Sequence, residues 1–426
     1  MSENMLEVCK NATEQCDCLA VMCPIVYNNS EELKESCFME HCFLSKRALD
    51  DVTLYKTTAL YILIFLIGVI GNTTTCLVMK KHPMMKTHAS MYLINLAVSD
   101  LVTLCVGLPF EVLMNWRQYP WPFPDYVCNL KALIAETTSS VSVLTILIFA
   151  IERYVAICHP LYLLKVQPFK RNISTIIGFT WVFSILCAMP FAIHHRADYL
   201  MKSWPGTENH VPVKSSKLCM VAVMFEPKLI PTFKILFHFS ALAFFAIPLL
   251  TILILYARIA CKVTHPVKVI KNQKIIKKSV TSPVQVSSNR TIQQGEFDIT
   301  EELQMRINAI LCAIVSAFFI CYLPFQLQRL LFFYFDNDVI LAYLNQYIYF
   351  ISGFLFYLAT IINPIAYNLA SSRFRRAFKD IIINYCWRGN TEGYPRSSFS
   401  KYSLAHTPLR QAMSNRAQVF ETTVQS

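Results

Sequence analysis

The amino-acid sequence predicts an all-α fold, a seven-transmembrane helix bundle with a short amphipathic eighth helix. Three observations lead there. Of the 426 residues 54% are hydrophobic and mean hydropathy is +0.41, too apolar for a soluble protein of ordinary surface. Seven stretches, near 55–79, 90–113, 126–157, 174–194, 231–261, 305–335 and 342–369, reach the ~20 residues that a helix needs to cross hydrocarbon. The basic excess, 39 Lys and Arg against 27 Asp and Glu, sits in loops beside those stretches, which points to a membrane and away from nucleic acid.

Residues 1–54 read as an acidic, Cys-rich extracellular segment. They hold ten acids, four bases, the acceptor sequons at Asn11 and Asn28, and six cysteines (Cys9, Cys16, Cys18, Cys23, Cys37, Cys42). Some of the six are expected to pair. Fifteen connectivities are open to them, and the sequence selects none. The start of the chain has no apolar core of the signal-peptide kind, so the first span is expected to act as the export signal.

Residues 55–369 form the seven-span domain. Prolines fall inside several spans (Pro109, Pro190, Pro248, Pro324, Pro364) and are expected to kink them. Lys80, Lys81 and Lys86 follow span one, Lys165, Lys170 and Arg171 follow span three, and six lysines from Lys262 to Lys278 follow span five. These loops are expected in the cytosol, which puts the N-terminus outside and the C-terminus inside. Residues 370–387 set Phe374, Phe378 and Ile381 or Ile382 on one face and Arg373, Arg375, Arg376 and Lys379 elsewhere, the pattern of a membrane-surface helix. Cys386 near its end is a candidate for palmitoylation, with an unmodified thiol as the alternative. Residues 388–426 are expected to be a disordered cytosolic tail whose Ser and Thr residues are open to kinases. Cys76, Cys105, Cys187, Cys312 and Cys321 are expected as small buried apolar residues.

Polar residues inside apolar runs need a reason, because a carboxylate at the centre of a membrane helix costs about 2.5–3.5 kcal/mol. Asp100 is such a residue, and Asn72 and Asn363 are candidate partners. Two readings stay open: a hydrated cavity holding sodium at Asp100, Ser142 and Asn363, or a hydrogen-bonded staple that only fixes packing. At the end of span three, Glu152 can hold Arg153 and later release it to a partner helix, although Arg153 can equally snorkel to the headgroups. Asn363, Pro364 and Tyr367 join a helix-breaking proline to an amide and a phenol that can exchange partners. At the outer ends of the spans lie Glu111, Glu136 and Arg329. Two carboxylates facing a cavity favour a cationic ligand; alternatively Glu136 and Arg329 neutralise each other and leave Glu111 for it.

Taken in order, these features resemble the rhodopsin-like G-protein-coupled receptors. They are Asn72 in span one, Leu96-x-x-x-Asp100 in span two, Cys128 before span three with Glu152-Arg153-Tyr154 at its end, Trp181 in span four, Pro248 and Tyr256 in span five, Pro324 in span six, and NPxxY in span seven. The stretches LPFEVLMNWRQYPW, KALIAETTSS, LPFQLQRLLFF and YFISGFLFYLATIINPIAYNLASSRFRRAF are most similar to the neuromedin U receptors, themselves similar to ghrelin, motilin and neurotensin receptors.

The resemblance implies a peptide ending in an amidated Arg-Asn as ligand. Glu111 and Glu136 would receive its arginine, with Arg329 and Gln326 at its amidated end. It implies a Cys128–Cys219 disulfide, an activation switch that includes Tyr154, Phe318 and Tyr322, and a Gq-type G protein meeting Arg153 and Leu161 and raising calcium. Receptor kinases and arrestin are further implied partners, and no cofactor is. The chain departs from the family at Tyr322, where a Trp is usual, at Val143, Gln326 and Ala359, and at Gln304, which replaces an acid facing Arg153. A secondary transporter is the rival from another class; the odd span count and the lack of a visible repeat oppose it. No HExxH or GxSxG signature marks an intramembrane enzyme.

Overall fold

The computed structural model describes residues 15–42, 47–159, 172–204, 211–262, 312, 315–331, 339–370 and 372–387. Asn11, Leu161, Gln304 and the tail after residue 387 lie outside them. Among the described residues six helices are long and apolar enough to cross a membrane: Asp51–Lys81, His88–Trp116, Asp125–Cys158, Ile173–Ile193, Pro227–Lys262 and Tyr347–Leu369. The last lies within the helix Val339–Ala370. Between the fifth and the last runs the shorter apolar helix Val315–Leu331, the described part of span six.

Local chemistry sets the boundaries. Span one starts at Asp50, whose side chain accepts from the Thr53 amide at 3.1 Å, and these bonds hold the Asp50 carboxyl below its ordinary pKa. It ends on Lys80 and Lys81, cations that suit the negative end of the helix dipole. Thr87 caps span two by accepting from the Ser90 amide at 3.3 Å. Two of the prolines follow a wide turn: Thr103–Gly107 before Pro109 and Leu242–Ala246 before Pro248 are both π-helical. A proline ring clashes with the carbonyl four residues back, and a π turn moves that carbonyl away.

The chain divides into two compact units, residues 1–377 and 378–426. In the first, spans one to four pack in sequence and span seven closes on span one. The core between them holds Tyr61, Leu104, Val143, Ile252, Phe318 and Tyr322, among others. The outward faces stay apolar, with Ile70, Phe179, Ile235 and Leu250 exposed, as a hydrocarbon solvent requires. This corrects the expectation for the cysteines. Cys321 is buried, Cys105 is exposed, and Cys76, Cys187 and Cys312 are only partly buried. An apolar residue on a membrane helix gains nothing from facing inward, so polarity alone does not place it.

Two shorter helices, Gln15–Val26 and Glu31–Cys42, precede span one and are joined by the disulfides Cys16–Cys42 and Cys23–Cys37. Cys18 is disulfide-bonded as well. After span four, strands β1 (His195–Tyr199) and β2 (Lys217–Val221) pair antiparallel, with His195 opposite Val221 and Tyr199 opposite Lys217. The Cys128–Cys219 disulfide ties β2 to the start of span three. The last helix, Ser372–Trp387, crosses the unit boundary. In the first unit it buries Phe374 and Ala377 and exposes Arg373, Arg375 and Arg376; in the second it buries Ile381 and exposes Lys379.

Candidate functional site

Two carboxylates of spans two and three meet different fates. Glu136, 9% exposed, receives both guanidinium nitrogens of Arg329: Nη1 at 3.2 Å, with a second, shorter contact from Nη2 to Oε1. Three rings surround that guanidinium, with centroids 5.3 Å (Phe191), 4.7 Å (Phe237) and 4.8 Å (Phe325) from its carbon. Planar Arg suits such a site, because it can fork onto a carboxylate and stack on aromatic faces together. His195 sits beside the pair. Burial lowers its imidazole pKa, against the opposing pull of its bond to the Phe191 carbonyl and of the Glu136 charge. Gln326, 4% exposed, lies one turn before Arg329. The reading in which Glu136 and Arg329 neutralise each other is the one the structure contains.

Glu111 is left with less. Its hydrogen bond is a long one, from the Tyr349 hydroxyl at 3.4 Å. Around it lie Gly353 and the Tyr61 hydroxyl, which is buried without a partner. Lys131, on span three, is close enough to interact electrostatically with Glu111, and its ammonium lies 6.0 Å from the Phe110 ring. The π turn places Glu111 here. One extra residue in that turn rotates everything after it by about 100°, which carries Glu111 to the side of span two that faces span seven. Lys131, Tyr349 and the three rings around Arg329 were missed in the sequence. Lys131 carries a findable signal, a cation inside an apolar run five residues before Glu136; the aromatics carry none, because Phe and Tyr are common throughout the spans.

Midway down the bundle Asp100, 2% exposed, accepts from the Asn363 amide at 2.9 Å. Asn72 does not join them. It donates to the Gly68 carbonyl at 3.0 Å and to the Thr360 carbonyl at 3.1 Å, and so fastens span one to span seven. Ser142 shares a hydrogen bond with Ser99 at 2.9 Å. Tyr322 stacks on Phe318 at 5.4 Å and 13°, with Phe325 and Phe356 tilted against it, two residues before Pro324. At the far end Arg153 donates to Glu152 at 2.9 Å and lies 5.2 Å over the Phe149 ring, and its Nε is buried and unpartnered. The Tyr154 hydroxyl meets His159 at 3.2 Å. Tyr256, Tyr367, Phe149 and Asn363 line an apolar cavity beside them, and the Tyr256 hydroxyl is buried without a partner.

A bundle of apolar spans with Arg153 paired to Glu152 at one end and the charges Glu111, Lys131, Glu136 and Arg329 gathered at the other suits a membrane receptor. Residues 71–367 match the 7 transmembrane receptor family of the rhodopsin type, and the chain belongs to that family. It is 33% identical to the human Neuromedin-U receptor 2 over 77% of this chain and 72% of that protein. It is 30% identical to the Pyrokinin-1 receptor of Drosophila melanogaster (87% of this chain, 88% of that one) and 31% identical to the Neuromedin U receptor homolog nmur-2 of Caenorhabditis elegans (86% and 89%). The protein is thus a neuropeptide G-protein-coupled receptor of the neuromedin U and pyrokinin receptor type, and not an enzyme.

Proposed function

We propose that this receptor binds an amidated peptide ending in Arg-Asn at a plasma membrane, with its N-terminus outside, and signals through a Gq-type G protein to raise cytosolic calcium. The observation that carries the ligand class is Glu111, a vestibule carboxylate whose hydrogen bond is weak, set among hydroxyls that can accept from a guanidinium. An arginine side chain supplies several donors at once. Glu136, already neutralised, adds a second acceptor edge, and Arg329 with Gln326 faces the amidated end. Charge-assisted hydrogen bonds of this kind contribute about 1.5–3 kcal/mol each.

Peptide binding favours the open-pocket state and shifts the population toward it. Span six pivots at Pro324 against the Tyr322–Phe318 stack. Arg153 leaves Glu152, Tyr256 and Tyr367 rearrange in the cavity they line, and the opened face takes the C-terminal helix of a G-protein α subunit, with Leu161 packing on it. Asp100, Ser142 and the Asn363 carbonyl oxygen are hard oxygen donors that suit a sodium ion in the resting state. Cys128 and Cys219 hold the loop over span three, Asn11 and Asn28 carry glycans, and Cys386 carries a palmitoyl group. Receptor kinases and arrestin act on the tail.

Calcium responses of transfected cells to amidated Arg-Asn peptides test this reading. Glu111→Gln at matched surface expression is expected to raise the EC50 about 10- to 100-fold, the equivalent of one charge-assisted bond. An unchanged EC50 rejects Glu111 as the anchor, and silence of the unsubstituted receptor toward such peptides rejects the ligand class.

A further inference from the structure

We infer that the two N-terminal helices and the loop residues that follow β1 (200–204) and precede β2 (211–216) fold as one disulfide-stapled cap that fixes the loop wall of the ligand vestibule, making the N-terminal hairpin a determinant of ligand affinity. This goes beyond the receptor reading given above and rests on it for the choice of probe.

Neither half of the cap buries a self-sufficient apolar core of its own. The hairpin Gln15–Cys42 is far below the size at which a chain buries a self-sufficient core, and a two-stranded ribbon such as β1–β2 is marginal in water. Together they share one core. Leu19 (0% exposed), Phe38 (1%) and Met39 (0%) from the helices pack with Met201 (5%), Val213 (4%) and Leu218 (1%) from the loop. The Phe38 and Trp204 rings lie 5.1 Å apart, and the Trp204 indole donates to the Ala20 carbonyl at 3.2 Å. Glu35 accepts from the Ser215 amide at 2.8 Å, and Arg117 reaches Glu32 at 4.0 Å. Ser216 then organises the loop from within, accepting from the Met201 amide at 3.1 Å and donating to the Val213 carbonyl at 2.7 Å.

The cap is wired to the vestibule at two points. Cys219 on β2 is bonded to Cys128 of span three, and Lys217 beside it pairs with Asp125 at 2.6 Å. At the other end of the ribbon, β1 begins at His195, whose carbonyl accepts from Asn129 at 2.6 Å and whose ring hydrogen-bonds the carbonyl of Phe191, the residue stacked on Arg329. Loosening the helices therefore frees the loop, one root of which, His195, sits beside the Glu136–Arg329 pair. The disulfides Cys16–Cys42 and Cys23–Cys37 keep the hairpin folded by restricting its unfolded chain.

The test uses the full-length receptor and two readouts. Hydrogen exchange of the loop amides, above all those of Met201 and Ser215, is compared between the unsubstituted receptor and Phe38→Ala, with Cys23→Ser/Cys37→Ser as a second, stronger variant. Both are expected to exchange faster, by tenfold or more, while span amides keep their rates. Calcium dose–response with an amidated Arg-Asn peptide is then expected to show an EC50 raised at least tenfold with an unchanged maximum at matched surface expression, a split that simple loss of folded receptor does not produce. Glu35→Gln, which still accepts from Ser215, should behave as the unsubstituted receptor and Glu35→Ala should not. Equal loop protection in all variants overturns the cap, and faster exchange with an unaltered EC50 overturns its role in affinity. Should the peptide be inert on the unsubstituted receptor, the ligand reading fails and the exchange arm still decides the cap by itself.

Discussion

At the scale of single residues, the vestibule is governed by which carboxylate keeps a partner. Glu136 and Arg329 are 11% and 12% exposed as side chains, so removing one partner strands a charge where water cannot reach it easily. Glu136→Gln or Arg329→Gln alone is expected to destabilise the receptor by about 3–5 kcal/mol. The double substitution should be milder than the sum of the two, because it removes both charges. Thermal unfolding in detergent or nanodiscs measures this, and strict additivity would show that the two side chains do not act as a pair. Tyr322 is a second decisive residue. Its ring fills the position between Phe318 and Phe356, and Tyr322→Ala is expected to cost about 3–5 kcal/mol through the cavity it opens, read by the same unfolding curves.

At the scale of elements, the π turn of span two acts as a rotation built into the helix. Deleting Cys105 from that turn returns it to α geometry and swings Glu111 away from Tyr349, so the EC50 should rise as it does for Glu111→Gln, with receptor still at the surface. A deletion variant with normal potency would show that the turn does not aim Glu111. The β1–β2 ribbon is clamped to the turn before span five by Arg196 and Glu226, 2.6 Å apart. Arg196 holds the Glu226 carboxyl below its ordinary pKa. The clamp therefore adds stability above the ordinary glutamate range and loses it as pH falls through the lowered value. Both groups are well exposed to solvent, so the effect is small, salt-sensitive and local to the loop, and hydrogen exchange of residues 195–199 at acid pH is the way to see it.

At the scale of the whole molecule, the Cys128–Cys219 disulfide joins the loop wall to the bundle. Cys128→Ser/Cys219→Ser opens a bridge that spans 91 residues of sequence and is expected to cost about 2–5 kcal/mol, visible as loss of surface receptor. A variant that reaches the surface in normal amounts would argue against that role. The spans themselves were legible because each is a local property: an apolar run of sufficient length decides its own solvent. Residues near 90–113 were expected to be helical, and the helix runs His88–Trp116. The direction a side chain takes from such a run was less legible. Of the two candidate partners for Asp100, Asn72 instead binds the carbonyls of Gly68 and Thr360, and Cys105, expected inside, faces out.

The sequence by itself pointed to a seven-span helix bundle, to the polar residues that stand inside its apolar runs, and to the family they resemble, because those facts are sums over neighbouring residues. Only the tertiary structure decided which of those polar groups are spent on each other. Glu136 meets an arginine 193 residues away, and Cys16 meets Cys42 in place of any of its other candidates. Such pairings depend on the rotation of each helix about its axis. One extra residue in a turn of span two changes that rotation by a quarter of a circle or more without altering the hydrophobic pattern that reveals the helix.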